Sequence, residues 1–137
     1  MPTTQIFVDT LFVIALINER DQYHERAAGL ADRFDGQSLV ITEAVLLEIG
    51  NALARGFKTQ AAQVIEEFLE ADDVTVVRLT PELFARAFQL YKSHQDKQWG
   101  LVDCVSFVVM RDAGILSALT FDQHFVQAGF EALLRDE

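Results

Sequence analysis

Short runs of β-type residues alternate with longer segments of helical periodicity along the whole sequence. These runs cover residues 5–8, 38–41, 74–78 and 115–120, with a weaker fifth run near 130–134. Between the runs, apolar residues recur at the spacing of amphipathic helices, and the segment 101–113 is apolar almost all round. Such alternation with short connections is typical of α/β domains. We therefore expect an α/β fold with a mainly parallel central sheet of four to five strands flanked by helices.

Capping residues mark several helix boundaries. Thr42 is a favourable N-cap for a helix that the pattern extends to near Gly56. Thr80 and Pro81 open another helix, which runs to about Ser93, and Gly114 ends the apolar helix at 101–113. We find no internal repeat, low-complexity segment or linker. Because domains typically hold roughly 100–150 residues, we expect residues 1–137 to form a single domain.

Composition limits the class of protein. The 21 acidic residues outnumber the 11 basic ones and give a net charge of −10, which argues against a general polyanion binder with a basic face. The single cysteine, Cys104, excludes an internal disulfide and a CxxC zinc module. No apolar run approaches the ~18 residues of a membrane helix, and the N-terminus lacks the basic region of a secretory signal. We therefore expect a cytoplasmic protein that is not bound to a membrane.

Four carboxylates stand apart because their neighbours are apolar, whereas most others lie on polar helix faces, in turns or, for Asp136 and Glu137, at the chain end. Asp9 and Asp122 each follow a β-type run. Glu48 interrupts VLLEIGNAL, and Asp103 interrupts LVDCVSFVVM. In an open parallel sheet, ligands bind beyond the carboxyl ends of the strands, which is where Asp9 and Asp122 are expected.

A shared cation is one explanation of these four acids. An isolated buried carboxylate is costly and tends to become neutral, whereas several carboxylates can converge on one divalent ion. Ligation by oxygen atoms without Cys or His suits Mg²⁺ or Mn²⁺ and disfavours zinc. The alternative is that the acids are helix caps or members of buried salt bridges, since Asp9 and Asp103 each precede or open a predicted helix.

The motifs around these acids resemble those of the PIN-domain ribonucleases, most closely the VapC-like toxins of bacterial toxin–antitoxin pairs. The resemblance extends from residue 7 to about 130 and rests on FVDT, NERDQYHERA, ITEAVLLEIGNAL, GLVDCVSFVVM and LTFDQHFVQAGF. It implies a PIN-like α/β/α sandwich in which Asp9, Glu48, Asp103 and Asp122 form an acidic quartet. By the same resemblance, supporting residues would be Thr10, Thr120, Asn51 and Ser106. Leu11 departs from the small polar residue that many relatives have there.

The activity implied by the resemblance is Mg²⁺- or Mn²⁺-dependent endoribonucleolytic cleavage by metal-activated water. In this hypothesis Asp9 and Asp103 are central metal ligands, and Glu48 and Asp122 are partial or outer ligands. The implied partners are an RNA substrate, an antitoxin protein and a second copy of the chain in a homodimer. The open alternatives are an RNA-processing nuclease that is not a toxin, a non-catalytic PIN-like interaction module, and a metal-dependent phosphatase or DNA nuclease.

Other residues could also contact a nucleic acid or take part in chemistry. Residues 92–99 (KSHQDKQW) combine cations with an aromatic ring, as in phosphate contact and base stacking; the alternative is a solvated loop with Trp99 packed on the domain. A Cys104–His124 thiol–imidazole pair is disfavoured because a cysteine in an apolar helix is usually inert, and the histidines are expected in surface or loop positions. Further candidates for contacts with the RNA backbone are Arg20, Arg26, Arg55 and Lys58.

Overall fold

A computed structural model describes residues 4–135 and shows five strands and seven helices in that range. The elements, in chain order, are β1 (Ile6–Val8), α1 (Thr10–Ile17), α2 (His24–Arg33), β2 (Leu39–Thr42), α3 (Glu43–Ala52), α4 (Lys58–Glu70), β3 (Val74–Val77), α5 (Pro81–Ser93), α6 (Leu101–Ala113), β4 (Ser117–Leu119), α7 (Gln123–Gln127) and β5 (Glu131–Ala132). The terminal acids Asp136 and Glu137 lie outside the described residues. No helix among residues 4–135 is both long and apolar enough to span a membrane.

The five strands form one sheet in the order β3-β2-β1-β4-β5, and every neighbouring pair is parallel. The predicted α/β class, the parallel sheet and the flanking helices are therefore confirmed. Phe7 in the central strand β1 pairs with Val40 of β2 on one side and with Ala118 of β4 on the other. Because both of its edges are paired and helices cover both of its faces, β1 is wholly buried.

The strand order reverses direction at β1. The chain moves from β1 outward to β2 and β3, then returns to place β4 on the opposite side of β1. With right-handed crossovers, helices α1–α4 cover one face of the sheet and α5–α7 the other. The helices after β1 and β4 therefore diverge, and a crevice opens at the carboxyl ends of these two strands. Asp9 and Asp122 follow β1 and β4 and lie at this crevice.

The caps predicted from the sequence are present. The Thr42 hydroxyl accepts a hydrogen bond from the Val45 N–H, and the Thr80 hydroxyl accepts one from the Leu83 N–H, each at 3.1 Å. Gly114 ends α6 with a φ of +69°, a conformation that favours glycine. Helix α3 ends at Ala52, earlier than predicted, because residues 53–57 form the turn into α4.

Aromatic packing on α6 anchors the core. Phe107 is fully buried, and its ring centroid lies 5.1 Å from that of Trp99, 5.0 Å from that of Phe125 and 5.7 Å from that of Phe130. Seven consecutive residues of α6, from 104 to 110, are buried, as expected for a helix that is apolar all round. Helix α6 is therefore held rigidly, and Asp103 in its first turn takes a defined position.

Candidate active site

A cleft of about 610 Å³ opens at the carboxyl ends of β1 and β4. All four carboxylates singled out in the sequence, Asp9, Glu48, Asp103 and Asp122, line this cleft. They come from four different elements or their ends, and up to 113 residues separate them in the chain. The topology described above, rather than any local motif, therefore brings them together.

Asp9 occupies the buried wall of the cleft. Its exposed fraction is only 5%, and its Oδ2 accepts a hydrogen bond of 2.7 Å from the Thr120 hydroxyl. Burial raises the pKa of Asp9 to about 7; the Thr120 hydrogen bond opposes this rise, and the charges of Asp103 and Asp122 add to it. In the absence of a cation, Asp9 therefore holds a proton at pH values well above the usual range of a carboxyl group.

Asp103, Asp122 and His124 form a compact group opposite Asp9. The His124 Nδ1 lies 3.0 Å from the Asp103 Oδ2 and 3.4 Å from the Asp122 Oδ1. One ligand-type atom from each of the three residues lies within 4.8 Å of the other two. Burial raises the pKa of Asp103, while hydrogen bonds from the Gly100 N–H and from His124 act in the opposite direction. These contacts draw two carboxylates and an imidazole into one small volume.

Glu48 faces the cleft from the middle of α3. Its Oε1 accepts a hydrogen bond of 2.7 Å from the hydroxyl of Thr10, the first residue of α1. Helices α1 and α3 pack against each other, so this contact orients the carboxylate across their interface. Glu48 is half-buried and lines the same space as Asp9.

Helix capping accounts for only part of this arrangement. Asp103 accepts the Gly100 N–H at 3.1 Å, and the Asp122 Oδ1 accepts the His124 N–H at 2.9 Å, so both acids do cap helices. The Asp9 side chain makes no capping hydrogen bond to α1, and Glu48 lies within α3. Helix capping, the alternative that the sequence left open, therefore applies to Asp103 and Asp122 but does not explain Asp9 or Glu48.

The supporting residues implied by the resemblance differ in their placement. Thr10 and Thr120 contact Glu48 and Asp9, as described, and Asn51 lines the cleft. Ser106 does not line it: the side chain is fully buried in α6, and its hydroxyl donates to the Val102 carbonyl at 3.1 Å. Three helical residues at about 100° each leave Ser106 roughly 60° away from Asp103 around the helix, which is sufficient to turn it into the core.

His124 is the cleft residue that sequence reasoning missed. Its sequence signal is the spacing Asp122-Gln123-His124 directly after a predicted strand. Because Asp122 caps α7, this spacing places the imidazole in the first turn beside the capping carboxylate. The ligand set at this cleft therefore includes a nitrogen donor, whereas the sequence suggested oxygen donors alone.

Trp99 and Cys104, two other candidates from the sequence, have structural roles. Trp99 is buried, its Nε1 donates to the Gln127 Oε1 at 3.0 Å, and its ring meets Phe107 edge-on; the packed-loop alternative is therefore correct. Cys104 is fully buried, and burial raises the pKa of its thiol to about 11, so the thiol is not activated as a nucleophile. On α5, Phe84 and Phe88 are 45% and 42% exposed.

The donor atoms in the cleft fit a divalent cation. The four carboxylates offer hard oxygen ligands, and His124 adds one nitrogen; Mg²⁺ and Mn²⁺ both accept a carboxylate-rich site. The burial of Asp9, which raises the pKa of its carboxyl group, points the same way: a carboxyl group in this position needs either a proton or a nearby positive charge. The cleft is therefore suited to hold a small, hard cation.

We expect the metal-free protein to lose stability as the pH rises. Asp9 has a pKa of about 7 in the folded state and an ordinary value of 3.8, so the unfolded chain releases this proton at lower pH. The stability linked to the bound proton is complete below about pH 4 and is lost as the pH rises through 7; between pH 5 and pH 8 the loss is about 2–3 kcal/mol. Urea unfolding in EDTA at these two pH values measures it. An equal loss in Asp9→Asn would contradict the assignment to Asp9.

Comparison with known proteins places this fold and cleft in a family. The sequence profile described as the PIN domain matches residues 6–131. The 23S rRNA-specific endonuclease VapC20 of Mycobacterium tuberculosis is 34% identical over 91% of this chain and 95% of its own length. The VapC ribonuclease of Aquifex aeolicus is 27% identical over 72% of this chain and 71% of its own.

Solved structures agree with the sequence matches. The crystal structure of M. tuberculosis VapC20, described as a toxin that cleaves the sarcin–ricin loop, superposes with a TM-score of 0.83 at 33% identity and covers 91% of this chain and 95% of that chain. The FitAcB structure from Neisseria gonorrhoeae, with a TM-score of 0.63 at 16% identity, covers 93% of this chain and 94% of that one and shares the fold. The all-parallel sheet, the acidic cleft at its switch point and these matches together establish that the chain belongs to the PIN domain family.

Proposed function

We propose that this protein is a metal-dependent endoribonuclease, a hydrolase of RNA phosphodiester bonds, with Asp9, Glu48, Asp103 and Asp122 as its catalytic and metal-binding residues. The observation that carries the proposal is the convergence of these four carboxylates on one cleft. Support comes from the VapC relatives, whose names describe ribonucleases. Mg²⁺ and Mn²⁺ are the proposed cofactors, because carboxylate-rich sites suit both ions.

The residues of the cleft have different proposed roles. Asp9, Asp103 and Asp122 would hold the cation, and Glu48 completes the negative wall from α3. Thr120 and Thr10 orient Asp9 and Glu48 through hydrogen bonds of 2.7 Å, so that less rotational freedom is lost on binding. The cation, when bound, offsets the repulsion between the carboxylates and the RNA phosphate and lowers the pKa of a water nucleophile. An opening about 610 Å³ in volume leaves space for an extended strand to enter.

We propose the sarcin–ricin loop of 23S rRNA as the first substrate to test, because VapC20 is described as cleaving it. The experiment incubates the protein with a synthetic sarcin–ricin hairpin, intact 23S rRNA and other structured RNAs, in Mg²⁺, in Mn²⁺ and in EDTA, and maps the cut ends. Cleavage in either metal and none in EDTA is the expected result. Absence of both cleavage and metal binding would instead favour a non-catalytic PIN-like module. A DNA hairpin of the same sequence tests the DNA nuclease alternative.

We further propose that this nuclease is a VapC-type toxin of the cytoplasm, that residues 1–137 form one domain, and that the protein acts as a homodimer neutralised by an antitoxin protein. Support comes from the VapC names of the relatives, which the chain matches along most of its length. Induced expression should arrest growth, and co-expression of an adjacently encoded small protein should relieve the arrest. Growth without arrest, together with cleavage in vitro, would favour an RNA-processing nuclease. Light scattering measures the oligomeric state.

We expect His124→Ala to weaken cation binding at least tenfold, because it removes a candidate nitrogen ligand and also the group that orients the Asp103 and Asp122 carboxylates, and orienting groups alone typically contribute 10–100-fold to affinity. The imidazole contacts both Asp103 and Asp122, and its loss lets their carboxylates separate. Calorimetric titration with Mg²⁺ and Mn²⁺ measures the dissociation constant. His94→Ala is the matched control, because His94 contacts Ser93 and Trp99, outside the cleft. Unchanged affinity in His124→Ala would exclude this role.

A further inference from the structure

A second pocket of about 630 Å³ lies beyond the acidic cleft, where α1 and α3 end. Ile14 of α1 and Ala52 of α3 line the cleft, and about one turn further along, Ile17 and Gly56 line the second pocket. At 1.5 Å of rise per residue, the seven steps from residue 11 to residue 18 separate the two pockets by roughly 10 Å. The second pocket is therefore about one helix length from the acids, and Arg20 lies on its wall.

The loop that carries Arg20 is held in place. The Arg20 backbone N–H donates a hydrogen bond to the Asn18 Oδ1 at 3.0 Å. Tyr23, at the end of the loop, stacks on Phe121 with ring centroids 3.9 Å apart, and Phe121 precedes Asp122 of the cleft. The same stretch of chain therefore supports both the second pocket and the acidic cleft, and the distance between the two is defined by the fold.

The basic residues near this pocket lack anionic partners. Among residues 4–135, most Lys and Arg side chains make ion pairs, hydrogen bonds, ring contacts or other electrostatic contacts. In the same range, four make none, namely Arg20, Arg55, Lys58 and Arg78. Three of these four lie at or near the second pocket: Arg20 lines it together with Glu19, and Arg55 and Lys58 adjoin its lining residues Gly56 and Phe57 in the chain. All three are exposed.

We propose that Arg20, with Arg55 and Lys58 at its margin, forms a phosphate-binding subsite for the RNA strand on one side of the scissile bond. The inference rests on the proposed ribonuclease function and adds the path of its substrate. At about 3.4 Å per stacked nucleotide, a separation of roughly 10 Å places the contacted phosphate two to three nucleotides from the acids. In a chain of net charge −10, such a local cluster supplies the charge complementarity to a polyanion that the rest of the surface lacks.

The test measures RNA binding in the absence of cleavage. Proteins that carry Asp9→Asn are titrated against the fluorescein-labelled sarcin–ricin hairpin in Mn²⁺ over a series of KCl concentrations. We expect addition of Arg20→Gln to weaken binding roughly tenfold and to reduce the slope of log K against log salt by about 1. Arg78→Gln is the matched control, because Arg78 is equally exposed and unpaired but lines a different pocket between β3 and α5; it should leave binding and slope unchanged.

Steady-state cleavage separates the subsite from the function on which it rests. In the otherwise wild-type protein, Arg20→Gln should raise KM with kcat nearly unchanged, because the contact lies away from the reacting atoms. If the wild type cleaves RNA and the KM values of Arg20→Gln and Arg78→Gln are equal, the subsite is overturned and the ribonuclease function stands. The same result is expected if these cations bind only a partner protein. A wild-type protein that neither binds nor cleaves RNA in Mg²⁺ or Mn²⁺ overturns both the subsite and the proposed function.

Discussion

Replacement of Asp9 by Asn is expected to abolish RNA cleavage while the protein stays folded. Asn keeps an oxygen that can accept the Thr120 hydrogen bond of 2.7 Å, but it cannot supply a negative charge to the cation. Asp103, Asp122 and His124 remain as candidate ligands, but misplacement of a cation that stabilises the transition state by several kcal/mol corresponds to a rate decrease of ~10³-fold or more. Single-turnover cleavage of the sarcin–ricin hairpin, with protein in excess and saturating metal, measures this decrease.

The stability of the same variant provides an internal control. The carboxylate of Asp9 is costly to ionise in its buried position, as its raised pKa of about 7 shows, and Asn carries no charge. Above pH 7 in EDTA, Asp9→Asn should therefore be at least as stable as the wild type. Asp72→Asn is the matched surface control, because Asp72 is exposed in the turn between α4 and β3. Full cleavage by Asp9→Asn would refute the assignment of Asp9.

The largest expected effect on stability comes from Phe107→Ala. This side chain is fully buried and contacts the rings of Trp99, Phe125 and Phe130. Removal of a buried phenyl ring costs about 3–5 kcal/mol, since the cavity left behind collapses only in part. The free energy of unfolding of a typical domain is about 5–15 kcal/mol, so this substitution would remove a large part of it. Urea denaturation followed by circular dichroism measures the difference in the free energy of unfolding.

Phe84→Ala is the comparison for this core substitution. Phe84 lies on α5 and is 45% exposed, so its truncation should cost about 1 kcal/mol or less. Phe107 also supports α6, whose first turn carries Asp103. At a temperature where Phe107→Ala remains folded, we therefore expect weaker cation binding as well as lower stability. Similar losses of stability in the two variants would show that the α6 core contributes less than its burial implies.

The carboxylates that give the chain its net charge of −10 fall into two groups. Most carboxylates are exposed and solvated. In the cleft, burial raises the pKa values of Asp9 and Asp103, the charges of Asp103 and Asp122 raise that of Asp9 further, and the charge of Asp122 raises that of Asp103 further. A divalent cation relieves this repulsion, and the cleft can then accept a phosphate. Because net repulsion of RNA persists elsewhere on the surface, we expect RNA binding that depends on the cation and weakens with salt.

Local sequence patterns predicted much of the fold. Thr42 and Thr80 were identified as caps because capping depends on neighbours only three residues away. The alternation of strand and helix periods is likewise local, and it predicted the parallel α/β class correctly. The resemblance did not reveal that Ser106 lies in the core, since a spacing of three residues from Asp103 places two side chains near one helix face but not on the same line along it. Trp99 was left open between two roles because its polar neighbours concealed its packing partner, Phe107.

The sequence by itself determined the order of the elements and singled out four carboxylates in apolar surroundings, because periodicity, caps and unfavourable burial are all properties of short segments. Only the tertiary structure decided that β4 lies beside β1, so that Thr120 reaches Asp9 across 111 residues of chain. It also decided that His124 contacts Asp103 and that the exposed Arg20 lines a second pocket where α1 and α3 end. The physical reason is that strand order and the packing of distant helices depend on the burial of the whole chain, and no local pattern encodes them.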